Sequence, residues 1–444
     1  MKSAALKAKR SAPDAGRYGT AFVKPALAGR IQPRRVALDH DWRTAARWVM
    51  ALGVFVGGQS ASRAFEASDL LAFRTGPLLV RPQLAETETY DDNILFRNAN
   101  QLSDLVSTLS PGAKLSVGQP EIPGEPLQNN LTLEYRLDER LYLQNSQFDG
   151  LDQTLLFGGW VNERHLTWKG ADDLMFLSSP LGGGLNIGEK VYRTAYDNSH
   201  TLEYDLSPKT GVYVTGSQSA TEYRPGTPLY SINDWRGVVG ADFKPRPKLR
   251  FLSEVYYGQT ATSSEFVGGP HSPHSDFMGG FIGADGQFSE RTSGELKLGY
   301  ETREFSDHTP APSSPAVKIS LTHNFWTKST ATLEYTRQTA VSIQFARESY
   351  TSDRVSIGWE QGLGSRNKWR AKLNAAMVNY DYAVLGVGNS RHDQGYTAEA
   401  GLTYQIQLWL AARFNYQFEI YSSNTPGIID YHLNRVILGV ALGY

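Results

Sequence analysis

The sequence predicts an all-β protein: a transmembrane antiparallel up-and-down β-barrel of about 18 strands (16–18), with short periplasmic turns and longer extracellular loops. Three observations predict it. Segments of roughly ten to fifteen residues alternate strictly between apolar and polar positions, the length and period of tilted membrane strands. Tight polar turns take turns with long irregular connections. The chain also ends, at Asn434–Tyr444, while still alternating.

The first element is a leader. Residues 1–64 hold 12 of the 44 Lys and Arg but only three of the 45 acidic residues (Asp14, Asp39 and Asp41). Residues 65–444 therefore keep 32 bases against 42 acids, a formal net charge of −10, hidden within a whole-chain value of −1. Arg43 and Arg47 precede the apolar run Trp48–Gly58, and Ser62-Arg63-Ala64 supplies small residues at −3 and −1 of a cleavage site. This is a signal-peptide pattern, with an apolar stretch too short for a permanent anchor. No later apolar stretch reaches about 18 residues, which excludes transmembrane helices. Residues 65–78 are expected to be a periplasmic lead-in and residues 79–444 the barrel.

The body repeats one pattern. In Leu131–Leu137, Leu131, Leu133, Tyr135 and Leu137 alternate with Thr132, Glu134 and Arg136. Leu296, Leu298 and Tyr300 alternate with Glu295, Lys297, Gly299 and Glu301. Tyr396–Ile406 and Leu408–Tyr421 do the same, and successive side chains of a strand point to opposite faces. The turns Ser207–Thr210, Lys244–Pro247, Ser289–Thr292, Thr327–Thr330 and Ser365–Lys368 are small, polar and basic. Arg224–Pro228, Ser263–Ser275, Ser306–Pro315, Leu385–Asp393 and Ser422–Gly427 are longer and irregular. Tight turns at one end and long loops at the other mark an outer-membrane barrel, with both ends of the sheet on the periplasmic side. Soluble β-folds also alternate, but with shorter strands.

Hydrocarbon offers no hydrogen bonds, so the sheet must close and its apolar face must meet lipid. The other face is expected to line a lumen with Glu134, Arg136, Glu203, Asp205, Arg250, Glu254, Glu295, Lys297, Lys318, Glu334, Arg354, Glu360, Arg370, Lys372, Glu399, Arg413 and Glu419. Both signs interleave there, so mutual pairing outweighs a single-sign selectivity ring. Tyr204, Tyr257, Tyr300, Tyr335, Trp359, Trp369, Tyr404 and Tyr444 are placed to form interfacial aromatic girdles.

No catalytic constellation stands out, and the chain is not expected to be an enzyme. With no cysteine there is no thiol nucleophile, thiolate metal site or disulfide. His271 and His274 lie in a Gly/Pro-rich loop away from clustered carboxylates, so no metal or other cofactor is expected. The acidic body, without a basic cluster after residue 64, argues against nucleic acid.

One stretch points to a family. Leu84–Leu95 reads LAETETYDDNIL and is followed by SDLVSTLSPGAKLSV at Ser103–Val117. A first strand running into Tyr90, Asp91, Asp92 and Asn93, then a Ser-Asp segment leading to a Leu-Ser-Pro-Gly strand, resembles the putative β-barrel porin 2 family of Gram-negative outer-membrane proteins. The resemblance implies an outer-membrane conduit for exopolysaccharide or capsular polysaccharide, partnering a periplasmic polysaccharide-export protein. The residues alone give Asp91, Asp92 and Asn93 a plainer role, capping a strand-to-loop transition through neighbouring backbone amides.

The ending places Val436, Leu438, Val440, Leu442 and Tyr444 on the lipid face and Arg435, Gly439, Ala441 and Gly443 on the other. This strand is expected to pair with the first, near Leu79–Tyr90, and its terminal aromatic row resembles the sorting signal read by the outer-membrane barrel assembly machinery. Three functions follow from the whole reading. The leading one is a polysaccharide conduit; the second is a diffusion porin for small hydrophilic solutes, whose pore an inward-folded long loop would set. The third is a non-transporting barrel, an enzyme or a surface scaffold.

Overall fold

The computed structural model describes residues 72–118, 129–185, 189–263, 274–308, 311, 313–345, 347–364, 368–383, 390–425, 428 and 430–443. The expected leader, His271 and Tyr444 lie outside them. The described residues all fall in one compact unit, Ala64–Tyr444.

Among the described residues nineteen strands run in chain order: β1 Phe73–Thr75, β2 Leu78–Asp91, β3 Asp104–Gly118, β4 Asn130–Tyr142, β5 Gly150–Glu163, β6 Leu166–Ser179 and β7 Val191–Ser207. They continue as β8 Thr210–Tyr223, β9 Ser231–Arg246, β10 Leu249–Ser263, β11 Ser275–Gln287, β12 Thr292–Phe305 and β13 Ser314–Trp326. The last are β14 Ser329–Val341, β15 Ser349–Leu363, β16 Trp369–Tyr382, β17 His392–Gln407, β18 Leu410–Ser423 and β19 Tyr431–Leu442. From β2 to β19 each strand pairs antiparallel with its sequence neighbour, and β19 returns to β2. Arg435 faces Asp91 and Leu442 faces Leu84, which closes an 18-stranded barrel and leaves no edge. The chain is an integral outer-membrane barrel.

The connections alternate as the turn chemistry predicts except at residues 119–129, a long connection at the short-turn end. Residues 164–165, 208–209, 247–248, 327–328 and 408–409 are two-residue turns, while 92–103, 180–190 and 383–391 at the opposite end are long. Leu408 and Trp409 thus form a turn, and β18 begins only at Leu410, after a register shift at Gln405/Gln407. Within the expected lead-in, β1 folds back on the start of β2, with Phe73 opposite Val80 and Thr75 opposite Leu78. Gly76, at a φ of 59°, makes this reversal, since a left-handed backbone suits a residue without Cβ.

Exposure distinguishes the two faces. Val239, Val255, Ile282, Leu298, Ile357, Leu373 and Leu438 are half or more exposed. Opposed residues share a face, so these rows define one largely apolar surface, interrupted by Glu86 and Glu88 on β2, Asp172 and His200 on β6 and β7, and Arg337 and Asp353 on β14 and β15. On the other face side chains reach beyond their neighbours: Arg250 on β10 lies 3.6 Å from Glu203 on β7. Contacts three strands apart form only where the sheet is concave, so this is the inner face. Tyr204, Tyr257, Tyr300, Tyr335, Trp359, Trp369 and Tyr404 all share the parity of the outer one.

Candidate functional site: the inner wall and the mouth

The register places all 17 charged residues named from the sequence on the inner face, in line with their strands' exposed apolar positions one residue away. Eight of the 17 lie along β7–β14, and seven of these are drawn into ion pairs. Near the short-turn end, the Lys244 ammonium donates to Asp205 at 2.7 Å and Glu203 at 3.2 Å. Arg250 forks onto Asp285 through Nε (3.0 Å) and Nη2 (2.6 Å). Higher up, Lys297 donates to Glu254 and lies 2.8 Å from Glu295, which also holds Lys318 at 2.7 Å. Tyr213 donates to Glu254 at 2.6 Å. Its ring lies across Gly240, where a Cβ would come within 2.2 Å of it, so glycine there makes room for the tyrosine.

Residues that were not singled out in the sequence complete this wall near the mouth. Arg303, whose side chain is only 2 % exposed, sits 3.3 Å from Glu301 and donates to Thr260 and Ser275. Arg236 lies 3.7 Å from Glu301 and over the rings of Tyr256 (4.7 Å) and Phe277 (5.0 Å). Their signal was present, because Asp234 and Arg236 alternate around Trp235 as the named residues do around theirs. On the rest of the barrel, Glu134 pairs with Lys114, Arg136 with Asp138 and Arg370 with Glu360. Glu399 accepts from Asn374, and Glu334, at the β14 end of the wall, accepts from Ser356 on β15. Arg354, Lys372 and Arg413 lie on the same inner face, on β15, β16 and β18 beyond the β7–β14 wall.

The mouth is built differently, from apolar and aromatic groups carried by loops and by the strand ends they pack against. Residues 92–103 bury Ile94, Leu95 and Phe96, and Phe96 packs edge-on against Tyr431 at 5.2 Å. Tyr431 stacks on Tyr421 at 5.7 Å, and the cluster closes with Leu433. The loop between β6 and β7 docks on this cluster although β2–β5 intervene: the Gly183 N–H donates to the Tyr431 hydroxyl at 2.6 Å. A Cβ at Gly182 would fall 2.7 Å from the Phe96 ring, so only glycine permits so close an approach. Tyr431 in turn donates to Glu419 at 2.5 Å. A second bridge joins the β8–β9 and β14–β15 loops across the span of β10–β13, where the Tyr230 N–H donates to the Ile343 carbonyl at 2.7 Å. Beside it, Arg391 forks onto Asp393 (2.9 and 2.6 Å), stacks on Tyr382 at 3.9 Å and lies 3.6 Å from Glu348. Burial raises the Glu348 carboxyl above its ordinary range, and the Arg391 charge opposes that rise only in part.

The Tyr90–Asn93 block sits at the closure seam. Tyr90 points outward, while Asp91 accepts from the Asn93 N–H at 2.8 Å and Asn93 accepts from the Arg97 N–H at 2.8 Å, which is local capping. The remaining groups cross to β19: Arg435 Nε donates to Asp91 at 2.6 Å, and the Asn434 N–H and side-chain amide donate to Asp92 at 2.7 and 2.6 Å. Asn93 donates to the His432 carbonyl at 2.9 Å. Val436, Leu438, Val440 and Leu442 form the outward row of β19.

Residues 233–444 match the model of the putative beta-barrel porin 2 family, a match that leaves the Tyr90–Asn93 block outside it. A search of curated proteins returns no match. Among solved structures, Pseudomonas aeruginosa OccK3 (OpdO) is similar at 12 % identity and a TM-score of 0.42, over 82 % of this chain and 95 % of that one. Pseudomonas aeruginosa OccK2 (OpdF) in complex with glucuronate is similar at 9 % identity and 0.44, over 82 % and 98 %. Acinetobacter baumannii OccAB3 is similar at 12 % identity and 0.42, over 82 % and 98 %. These likenesses say nothing about substrate.

Proposed function

We propose that this chain, whose residues 233–444 belong to the putative beta-barrel porin 2 family, is a passive outer-membrane channel for small polar solutes. One observation carries the reading: extracellular loops reach over intervening strands at the mouth, Gly183 to Tyr431 at the start of β19 and Tyr230 to Ile343 of another loop. Loops joined over intervening strands subdivide the opening, which suits solutes of limited size better than a growing polymer. The 17 inner charged residues are then the pore lining. Because 11 of them sit in ion pairs with opposite charges, they offer polar passage without a strong single-sign barrier. This reverses the ranking drawn from the sequence, where the polysaccharide conduit came first.

The test is electrical and osmotic. The purified barrel is expected to give discrete conductance steps in planar bilayers and to let mono- and disaccharides, but not long oligosaccharides, swell or shrink liposomes. Tyr431→Ala frees both the Phe96 loop and Gly183, so it is expected to raise the step size and the size limit together. A wild-type barrel that passes no ions or small sugars, in cells that lose surface glycan when the gene is deleted, overturns this reading in favour of polymer export.

A further inference from the structure

We propose that the outer face of β6–β8 is the contact surface between two copies of this chain in the membrane. The observation is a connected polar cluster on the outer face, among the exposed apolar positions of these strands. Asp172 shares its face with the exposed Leu166 and Phe176 of β6, and His200 shares its face with the exposed Leu202 and Tyr204 of β7. The two are joined, with His200 Nε2 3.3 Å from the Asp172 carboxylate. Tyr196 donates to Asp172 at 3.0 Å, and Asn198 donates to the Tyr196 hydroxyl at 2.8 Å. Gly170 confirms the side: a Cβ there would point into the rings of Trp168 and His200, at 2.4 and 2.5 Å.

Height makes the cluster anomalous. Asp172 is the seventh of the 14 residues of β6, and His200 is flanked on its own face by Tyr192 and Tyr196 above and Tyr204 below. A carboxylate and an imidazole therefore sit between the aromatic rows, where hydrocarbon supplies no partner and charge on the lipid face costs most. Their mutual bonds leave acceptor and donor capacity over. Beside them the surface is bare, since nothing lies within 4 Å of a Cβ added at Gly216, which is opposite His200 on β8.

A second copy fits this surface because the surface complements itself. Asp172 offers only acceptors, whereas His200 and Asn198 offer donors one strand away. A two-fold axis along the membrane normal, running between β6 and β7, sets each His200 against the partner copy's carboxylate. The same residues then serve both sides, as an isologous interface requires. The bare backbone at Gly216 lets the two walls approach.

The cysteine-free chain makes the test clean. Leu174→Cys, on the outer face beside the cluster and opposite Tyr196, is expected to give a disulfide-linked product of twice the chain's mass in intact outer membranes. Ile357→Cys, on β15 at the far side of the barrel, is expected to give none. In the Leu174→Cys background, Asp172→Leu with His200→Leu is expected to abolish the cross-link while the barrel keeps its heat-modifiable migration. Should that double variant not assemble, Gly216→Phe, which enters open space, is expected to abolish it as well. The proposal is overturned by no cross-link at Leu174→Cys, by equal cross-linking at Ile357→Cys, by a product whose mass shows a different protein, or by cross-linking undiminished in the variant barrels.

Discussion

The closure seam and the β7–β14 wall are both held by carboxylates facing donors, yet they distribute their partners in opposite ways. At the seam each carboxylate keeps donors of its own. Asp91 takes Arg435 and the Asn93 amide, while Asp92 takes both donors of Asn434. Along the wall partners are shared. Glu254 has Lys297 and Tyr213, Glu295 has Lys297 and Lys318, and Glu301 has Arg236, Arg303 and Tyr256. A shared network re-pairs when it loses one member, whereas a dedicated pair leaves a charge behind. Tolerance to substitution should therefore fall from wall to seam.

The largest effect is expected at Asp91→Ala. The Asp91 side chain is 7 % exposed, and its removal strands the Arg435 guanidinium and the Asn93 N–H together. Breaking one partner of such a buried pair costs about 3–5 kcal/mol. The measurement is urea unfolding in detergent, alongside the fraction of chain reaching the heat-modifiable form. Stability within about 1 kcal/mol of wild type would show that the seam holds by its backbone ladder alone.

How much of this was legible follows from which interactions have a period. The pairing of Glu134 and Arg136 with the inner face, and the return of β19 to β2, follow from strict alternation once hydrocarbon forbids an open edge. The bond from Gly183 to Tyr431 joins residues 248 apart through a loop, and no periodicity carries such a contact. Asp172 and His200 were hidden for another reason. Alternation assigns the polar row to the inside, but around them the outer row is itself polar, so the pattern flattens and names no face. The seam role of Asp92 was half visible: Asp and Asn at a strand end do cap, but their second oxygens and amides reach a strand 342 residues away.

A middle-sized effect is expected within the wall at Lys297→Gln. Its ammonium serves both Glu254 and Glu295, and each keeps one other donor, Tyr213 and Lys318 respectively. Stability is expected to fall by about 1–3 kcal/mol, the range for a buried acceptor that loses a donor. The lumen also loses one positive charge, so the reversal potential in a salt gradient across a planar bilayer is expected to move towards cation preference. An unchanged reversal potential would place Lys297 away from the conducting path.

The smallest effect on folding, and the sharpest on passage, is expected at Arg236→Gln. Its side chain is 35 % exposed, and Glu301 retains Arg303 and Tyr256 without it, so stability should change by less than about 1 kcal/mol. The guanidinium nevertheless lies over Tyr256 and Phe277 and is far more accessible than Arg303 behind it. Arg303 can be read as the buried fixture of this part of the wall and Arg236 as its solvent-facing charge. Flux of an anionic sugar acid into liposomes is therefore expected to drop in Arg236→Gln while flux of a neutral sugar of the same size stays constant. Equal loss of both would mean that Arg236 shapes the opening instead of its charge, and would bring this part of the wall closer to the seam in kind.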